Sequence, residues 1–251
     1  MSNPPLYGSM VPLDRNQHKK LKLRTDIAVA PHAANQNSMF LTVAEFPEAC
    51  KEYPIVFVRV GEPPKAGAKP TVAPVAALGL KQGSNLFVSG DQWTGAYVPA
   101  YLRRYPFAMA RMEAGSDQVA VCFDASWPGF NETEGQQLIG EDGTPTEFLD
   151  NARQFLENFE QEAERTRLIC EKLVQEDLLT DMRFEASFAE GGKLEVDGFL
   201  AIDEKKFAEL PDAKVVELFR LGLLSVIEMH RLSMGNMQRL ASRQGAARQA
   251  A

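Results

Sequence analysis

The chain has 251 residues, room for one large domain or two small ones at ~100–200 residues per domain. Hydrophobic residues make up 45% and charged residues 24%, a globular balance that excludes wholesale disorder. Lys plus Arg number 27 against 34 Asp plus Glu, so the net charge is −7, which argues against a nucleic-acid partner.

Residues 1–25 are polar with scattered prolines and read as an N-terminal arm laid over the body. They reach Arg15, His18, Lys19 and Lys20 without an apolar run, so no secretory signal is expected. Ala44 to Lys51 predicts a short helix. Tyr53 to Val60 predicts a strand, β-branched and aromatic with its proline near the start. The proline-rich segment Pro63 to Pro74 predicts a mobile loop. Val75 to Leu80 and Leu86 to Ser89 predict two strands of a hairpin turning through Lys81 to Asn85, and Val119 to Phe123 a further strand.

The pattern becomes helical near Gly143. Thr144-Pro145-Thr146-Glu147 has the form of a capping box. Phe148, Ala152, Phe155, Phe159, Ala163, Thr166, Cys170 and Leu173 then make one helical stripe, running to about Glu176. Arg183 to Phe188 and Leu194 to Ile202 predict a hairpin around Glu190-Gly191-Gly192-Lys193, with a bulge at Asp197-Gly198. Asp203 caps a short helix to about Leu210. A last long helix is expected from Ala213 to about Leu240, with Gly222 inside it for close helix packing, then a frayed tail over 241–251. Leu218 to Met229 is broken by Arg220 and Glu228 and falls short of the ~18 apolar residues of a membrane span. Cys50, Cys122 and Cys170 are odd in number and form no Cys-x-x-Cys site, which predicts reduced thiols and a cytoplasmic protein.

The expected fold class is α+β. A β-rich N-terminal half (about 26–140) packs against two long C-terminal helices interrupted by a β-hairpin (about 144–240), in a single domain over 26–240.

The densest constellation lies between Asp91 and Phe107. Trp93, Tyr97, Tyr101 and Tyr105 recur every four residues with Arg103 and Arg104 among them. The functional reading is an aromatic-walled pocket with a guanidinium clamp for a carboxylate or phosphate. The competing reading is a folding nucleus, its hydroxyls satisfied and its arginines paired to acids. His230, Ser233 and Asn236 follow one another at helical spacing. They read as a polar seam fixing helix register, or as a His–Ser nucleophile pair that lacks a Gly-x-Ser-x-Gly elbow. The acids Asp124, Glu132, Glu134, Glu141 and Asp142 lack the regular spacing of a calcium loop. No phosphate loop, dinucleotide fingerprint or His-Glu-x-x-His is present.

Several strings together resemble the SapC family of bacterial proteins: Tyr53-Pro54-Ile55-Val56-Phe57, Leu78-Gly79-Leu80, Asn85-Leu86-Phe87-Val88, and Trp93 with Tyr97-Val98-Pro99-Ala100. To these are added Leu102-Arg103-Arg104-Tyr105-Pro106-Phe107, Glu141-Asp142-Gly143, Gly198-Phe199 and His230-Arg231-Leu232-Ser233 with Asn236. The resemblance implies an association with surface layers and with gene systems of TonB-dependent receptors and halogenase-like or cupin-like proteins. It implies no catalytic residues.

The leading functional expectation is a non-catalytic cytoplasmic accessory protein. It would bind a protein partner or a small anionic or aromatic ligand through Trp93, Tyr97, Tyr101, Arg103, Arg104 and Tyr105, with His230, Ser233 and Asn236 as further candidates. No cofactor is predicted, and a homo-oligomer is left open. The alternative is an enzyme dependent on iron or another divalent metal, with His18, His230 and Asp124 as ligands. A second alternative is a surface-layer or export component.

Overall fold

The apolar run after Tyr53 forms the strand its composition predicts, and a five-stranded antiparallel sheet is built around it. The computed structural model describes residues 3–65, 67–111, 119–187 and 192–249. In chain order the strands are β1 (Met10–Pro12), β2 (Lys22–Leu23), β3 (Ser38–Phe40), β4 (Ile55–Arg59), β5 (Val72–Ala77), β6 (Val88–Ser89) and β7 (Gln92–Trp93). They continue with β8 (Phe107–Arg111), β9 (Val119–Asp124), β10 (Phe130–Asn131), β11 (Gln136–Gln137), β12 (Leu179–Ser187) and β13 (Lys193–Ile202). The helices are α1 (Phe46–Ala49), α2 (Ala100–Arg103), α3 (Glu147–Gln175), α4 (Glu204–Ala208), α5 (Asp212–Arg220), α6 (Leu223–Ser233) and α7 (Asn236–Gln249). The fold is α+β.

The chain divides into two compact units. The first holds residues 1–33, 90–92 and 101–161. Its sheets are β1-β9-β8 and β10-β2-β11, all pairs antiparallel. The N-terminal arm is thus part of the sheet structure, because Met10–Pro12 pairs with Cys122–Asp124. The first half of α3 belongs here and buries Leu149, Leu156 and Phe159. The expected capping box does not form, and the cap lies two residues further on. Thr144 caps a turn by bonding Asp142, and it is the Thr146 hydroxyl that meets the Leu149 amide (3.4 Å) as the helix begins.

The second unit holds 34–89, 93–100 and 162–251. Its sheet runs β12-β13-β4-β5-β3. Ile55, Val56 and Phe57 of central β4 are all buried, as expected for a strand covered on both faces. Val72–Ala77 therefore pairs with β4 and β3, while β6 pairs with β7. The expected hairpin through Lys81–Asn85 is reduced to one backbone bond, Leu86 N–H to Leu78 O. Between β12 and β13 the register slips where Arg183 faces Asp197-Gly198, and Gly198 takes the positive φ of +80° that such a bulge needs. The turn expected at Glu190-Gly191 lies outside the described residues.

The segment expected as one helix from Ala213 to Leu240 runs as α5, α6 and the start of α7. Gly222 stands at the first break with φ +74°, and no atom lies within 4 Å of where its Cβ would be. Its role is therefore the left-handed turn rather than close packing. Beyond Leu240, α7 continues to Gln249.

Candidate functional site

The four-residue recurrence from Trp93 to Tyr105 does not form one face, because only Ala100–Arg103 within it is helical. Trp93 and Tyr97 belong to the second unit, Tyr101, Arg103, Arg104 and Tyr105 to the first. In the second unit the Trp93 indole Nε1 donates to Tyr97 O (3.0 Å) and Tyr53 Oη (3.1 Å). The Tyr97 hydroxyl donates to Glu45 Oε1 (2.9 Å), and the Ala100 amide donates to the same oxygen (2.7 Å). Thr42 N–H meets Glu45 Oε2 (2.8 Å), so this buried side chain closes its own turn and pins the 97–100 segment to it.

His230, Ser233 and Asn236 are all buried in the second unit and work on β4 and the turn before it. His230 Nδ1 lies 2.7 Å from Ile55 O, and the Ile202 amide donates to Nε2 (3.1 Å). Only the neutral Nδ1–H tautomer satisfies both contacts. Burial pushes the imidazole down to about 4, against the partial opposition of the Ile55 bond. Ser233 Oγ accepts the Ile55 amide (2.9 Å), and Asn236 Nδ2 donates to Cys50 O (2.8 Å) and Tyr53 O (3.1 Å).

The first unit holds the cavity that the arginines shape. It encloses about 360 Å³ and is lined by Arg24, Arg103, Arg104, Tyr105, Trp127 and Phe155, with further apolar residues from residues 23–29 and from α3. Its lining includes three arginines and no carboxylate. Arg24 is tied to Asp26 (2.7 Å), and Arg103 lies over the Phe155 ring (5.2 Å). Arg104 is only 9% exposed. Its guanidinium lies over the Tyr101 and Phe159 rings (4.3 and 4.5 Å) and its Nη1 meets Glu160 (3.3 Å). Burial raises the Glu160 carboxyl, and the Arg104 charge opposes that rise. Arg104 Nε is buried and donates to no acceptor among the described residues.

Asp124, a candidate metal ligand on sequence grounds, is fully buried at the end of β9. It accepts from the amides of Gly8 (2.8 Å), Ser9 (2.8 Å) and Ser126 (3.0 Å), from Ser126 Oγ (2.6 Å) and from Tyr105 Oη (3.0 Å). Burial alone would raise its carboxyl, but these donors outweigh it and hold the group below the ordinary carboxylate range. His18 Nδ1 accepts the Asp14 amide (2.9 Å), and its ring stands edge-on to Phe123. Among the described residues no group of three or more His, Cys, Asp or Glu is placed to hold a metal ion.

Trp127 and the 23–29 segment are cavity walls that sequence reasoning misses. Trp127 stands alone between Ser126 and Pro128, with no periodic partner to mark it. Its T-shaped contact with Tyr105 (5.1 Å) exists only in the fold.

These features define an α+β protein with an arginine-lined aromatic cavity. A family model described as SapC matches residues 13–240, and the chain belongs to the SapC family. No curated protein and no solved structure matches it. Among the described residues no helix is long and apolar enough to cross a membrane.

Proposed function

We propose that this SapC protein is a non-catalytic binding protein, and that its first unit takes a small anion with an aromatic or apolar body. The observation that carries this reading is the cavity lining, with three arginines, no carboxylate, and a buried Arg104 whose Nε lacks an acceptor. A buried guanidinium N–H without a partner is costly, and a ligand carboxylate would satisfy it with a charge-assisted bond. The apolar walls around Tyr105, Trp127 and Phe155 would hold a ring. A cavity of about 360 Å³ lies at the small end of ligand sites, which suits a metabolite better than a protein segment.

Calorimetric titration with benzoate and with benzamide tests this. Benzoate is expected to bind at least about tenfold more tightly than its neutral isostere, a difference of ~1.4 kcal/mol. Arg104→Met should abolish that preference, and Arg104→Lys should restore it only in part, since an ammonium lacks the planar fork. Equal affinity for the two probes, or a preference that survives Arg104→Met, overturns the reading.

A further inference from the structure

Residues 3–9 do not line this cavity but pack behind residues that do, and several hydrogen bonds fasten them there. The Tyr7 hydroxyl donates to Phe107 O (2.7 Å), and the Tyr101 hydroxyl donates to Pro5 O (2.9 Å). His32 Nε2 lies 2.5 Å from Leu6 O. The amides of Gly8 and Ser9 each donate to one oxygen of Asp124 (2.8 Å). Pro4 and Pro5 have no amide to satisfy, which suits a segment running outside any ladder. Gly8 is required by space, because a Cβ there would stand 2.4 Å from Ser126 Oγ.

Of the bonded groups Phe107 lines the cavity, and the arm reaches two further lining residues, Tyr105 and Arg104, by ring contacts. Tyr105 receives the arm on one side, where its ring meets Tyr7 at 5.2 Å, and lines the cavity with Trp127. Tyr105 also shares the Asp124 carboxylate with Gly8 and Ser9. Arg104 lines the cavity as well, with its guanidinium 5.7 Å from the Tyr7 ring. Tyr7 itself is 5% exposed, so the arm is one of the layers that keep Arg104 out of water. The hydrogen bonds to Asp124 come from neutral groups. Five neutral donors hold it, two of them from the arm.

We propose that residues 3–9 are a strap, latched by Asp124, that completes the anion site by walling Arg104 off from water. Asp124 and Tyr7 are positioning residues, since neither lines the cavity. The inference rests on the cavity reading above and adds to it the device that sets its strength. A guanidinium in a water-excluded site attracts an anion more strongly than the same group in contact with solvent. With the strap released, Arg104 and the Asp124 carboxylate would both meet water. The charge part of the affinity would fall while the apolar part persisted.

The test combines hydrogen exchange with calorimetry on the full chain and two variants. Asp124→Asn removes an acceptor from the latch. A chain begun at Met10 removes the strap and leaves the β1 pairing intact, so it serves if the first variant does not fold. In Asp124→Asn, exchange of the Gly8 and Ser9 amides should rise by about tenfold or more. In either variant, benzoate affinity should fall by about tenfold, while benzamide affinity changes by less than about threefold. A general loss of structure would weaken both probes alike, so the ratio separates positioning from stability. Unchanged exchange at Gly8 and Ser9 refutes the latch. Released amides with an unchanged benzoate-to-benzamide ratio refute the coupling. A full chain that shows no preference for benzoate brings down the cavity reading and the coupling together, and exchange still judges the latch by itself.

Discussion

Lowering the pH should destabilise the second unit through one residue, His230. The imidazole bridges β4 and β13 only as the neutral tautomer, donating from Nδ1 to Ile55 O and accepting from Ile202 N–H at Nε2. A second proton would sit on Nε2 and face the Ile202 donor in a fully buried setting. Burial accordingly takes the group from 6.5 to about 4. Between those values the unfolded chain binds a proton that the folded chain refuses, so stability falls as pH falls. About 2.5 pH units at 1.36 kcal/mol each gives about 3 kcal/mol, fully present above pH 6.5 and lost by about pH 4. Urea unfolding from pH 7 to 4.5 measures it against His230→Gln, whose amide can accept from Ile202 but does not titrate. The wild type should lose up to ~1.4 kcal/mol more per pH unit than the variant across that window. Parallel stability curves for the two proteins would refute the assignment, as would an imidazole found protonated at pH 5 in the folded state.

Two other substitutions test the same frame. Ser233→Ala leaves the buried Ile55 amide without its acceptor and should cost about 1–3 kcal/mol in urea unfolding. Gly222→Ala meets no steric neighbour but must hold φ near +74°, so a loss of about 1–2 kcal/mol is expected, with the α-helical circular dichroism unchanged. A neutral Gly222→Ala would mean that the α5–α6 junction adopts another conformation.

The elements legible in the sequence are those whose signal is local. Strand β4 is written in the run Ile55–Val58, α3 in a stripe with a helical period, and the β12–β13 bulge in Asp197-Gly198. Pairing partners are not local. Val75 to Leu80 reads as one arm of a hairpin with Leu86 to Ser89, but the strand that forms is Val72–Ala77, whose inner position beside β4 buries Val72, Val75 and Ala76. The break at Gly222 lies inside an apolar period that continues on both sides of it. Only the open space around its Cβ position distinguishes a turn glycine from a packing glycine. The spacing of Trp93, Tyr97, Tyr101 and Tyr105 misled for a related reason. A period of four residues sets side chains on one face only where one regular element continues through them, and Pro99 and Pro106 confine the helix here to one turn. Nothing near Tyr7 in the sequence links it to Arg104, which is 97 residues away and meets it through packing alone.

The charge balance of the whole chain gives no hint of the cavity's sign, and the contrast between the two makes a further prediction. The protein carries a net −7, while the cavity lining carries three cations and no anion. If exposed arginines at the rim held the anion, affinity would weaken as salt screened them, since the Debye length is about 10 Å at 0.1 M. Arg24 is 41% exposed at its side chain and already neutralised by Asp26, whereas Arg104 has a side chain 8% exposed. A site dominated by Arg104 is sheltered from the salt, and the negative field around it repels an incoming anion less as salt rises. Benzoate affinity should therefore change by less than about twofold between roughly 0.02 and 0.2 M NaCl, with association becoming faster. A steep loss of affinity with salt would move the anion contact from Arg104 to the rim.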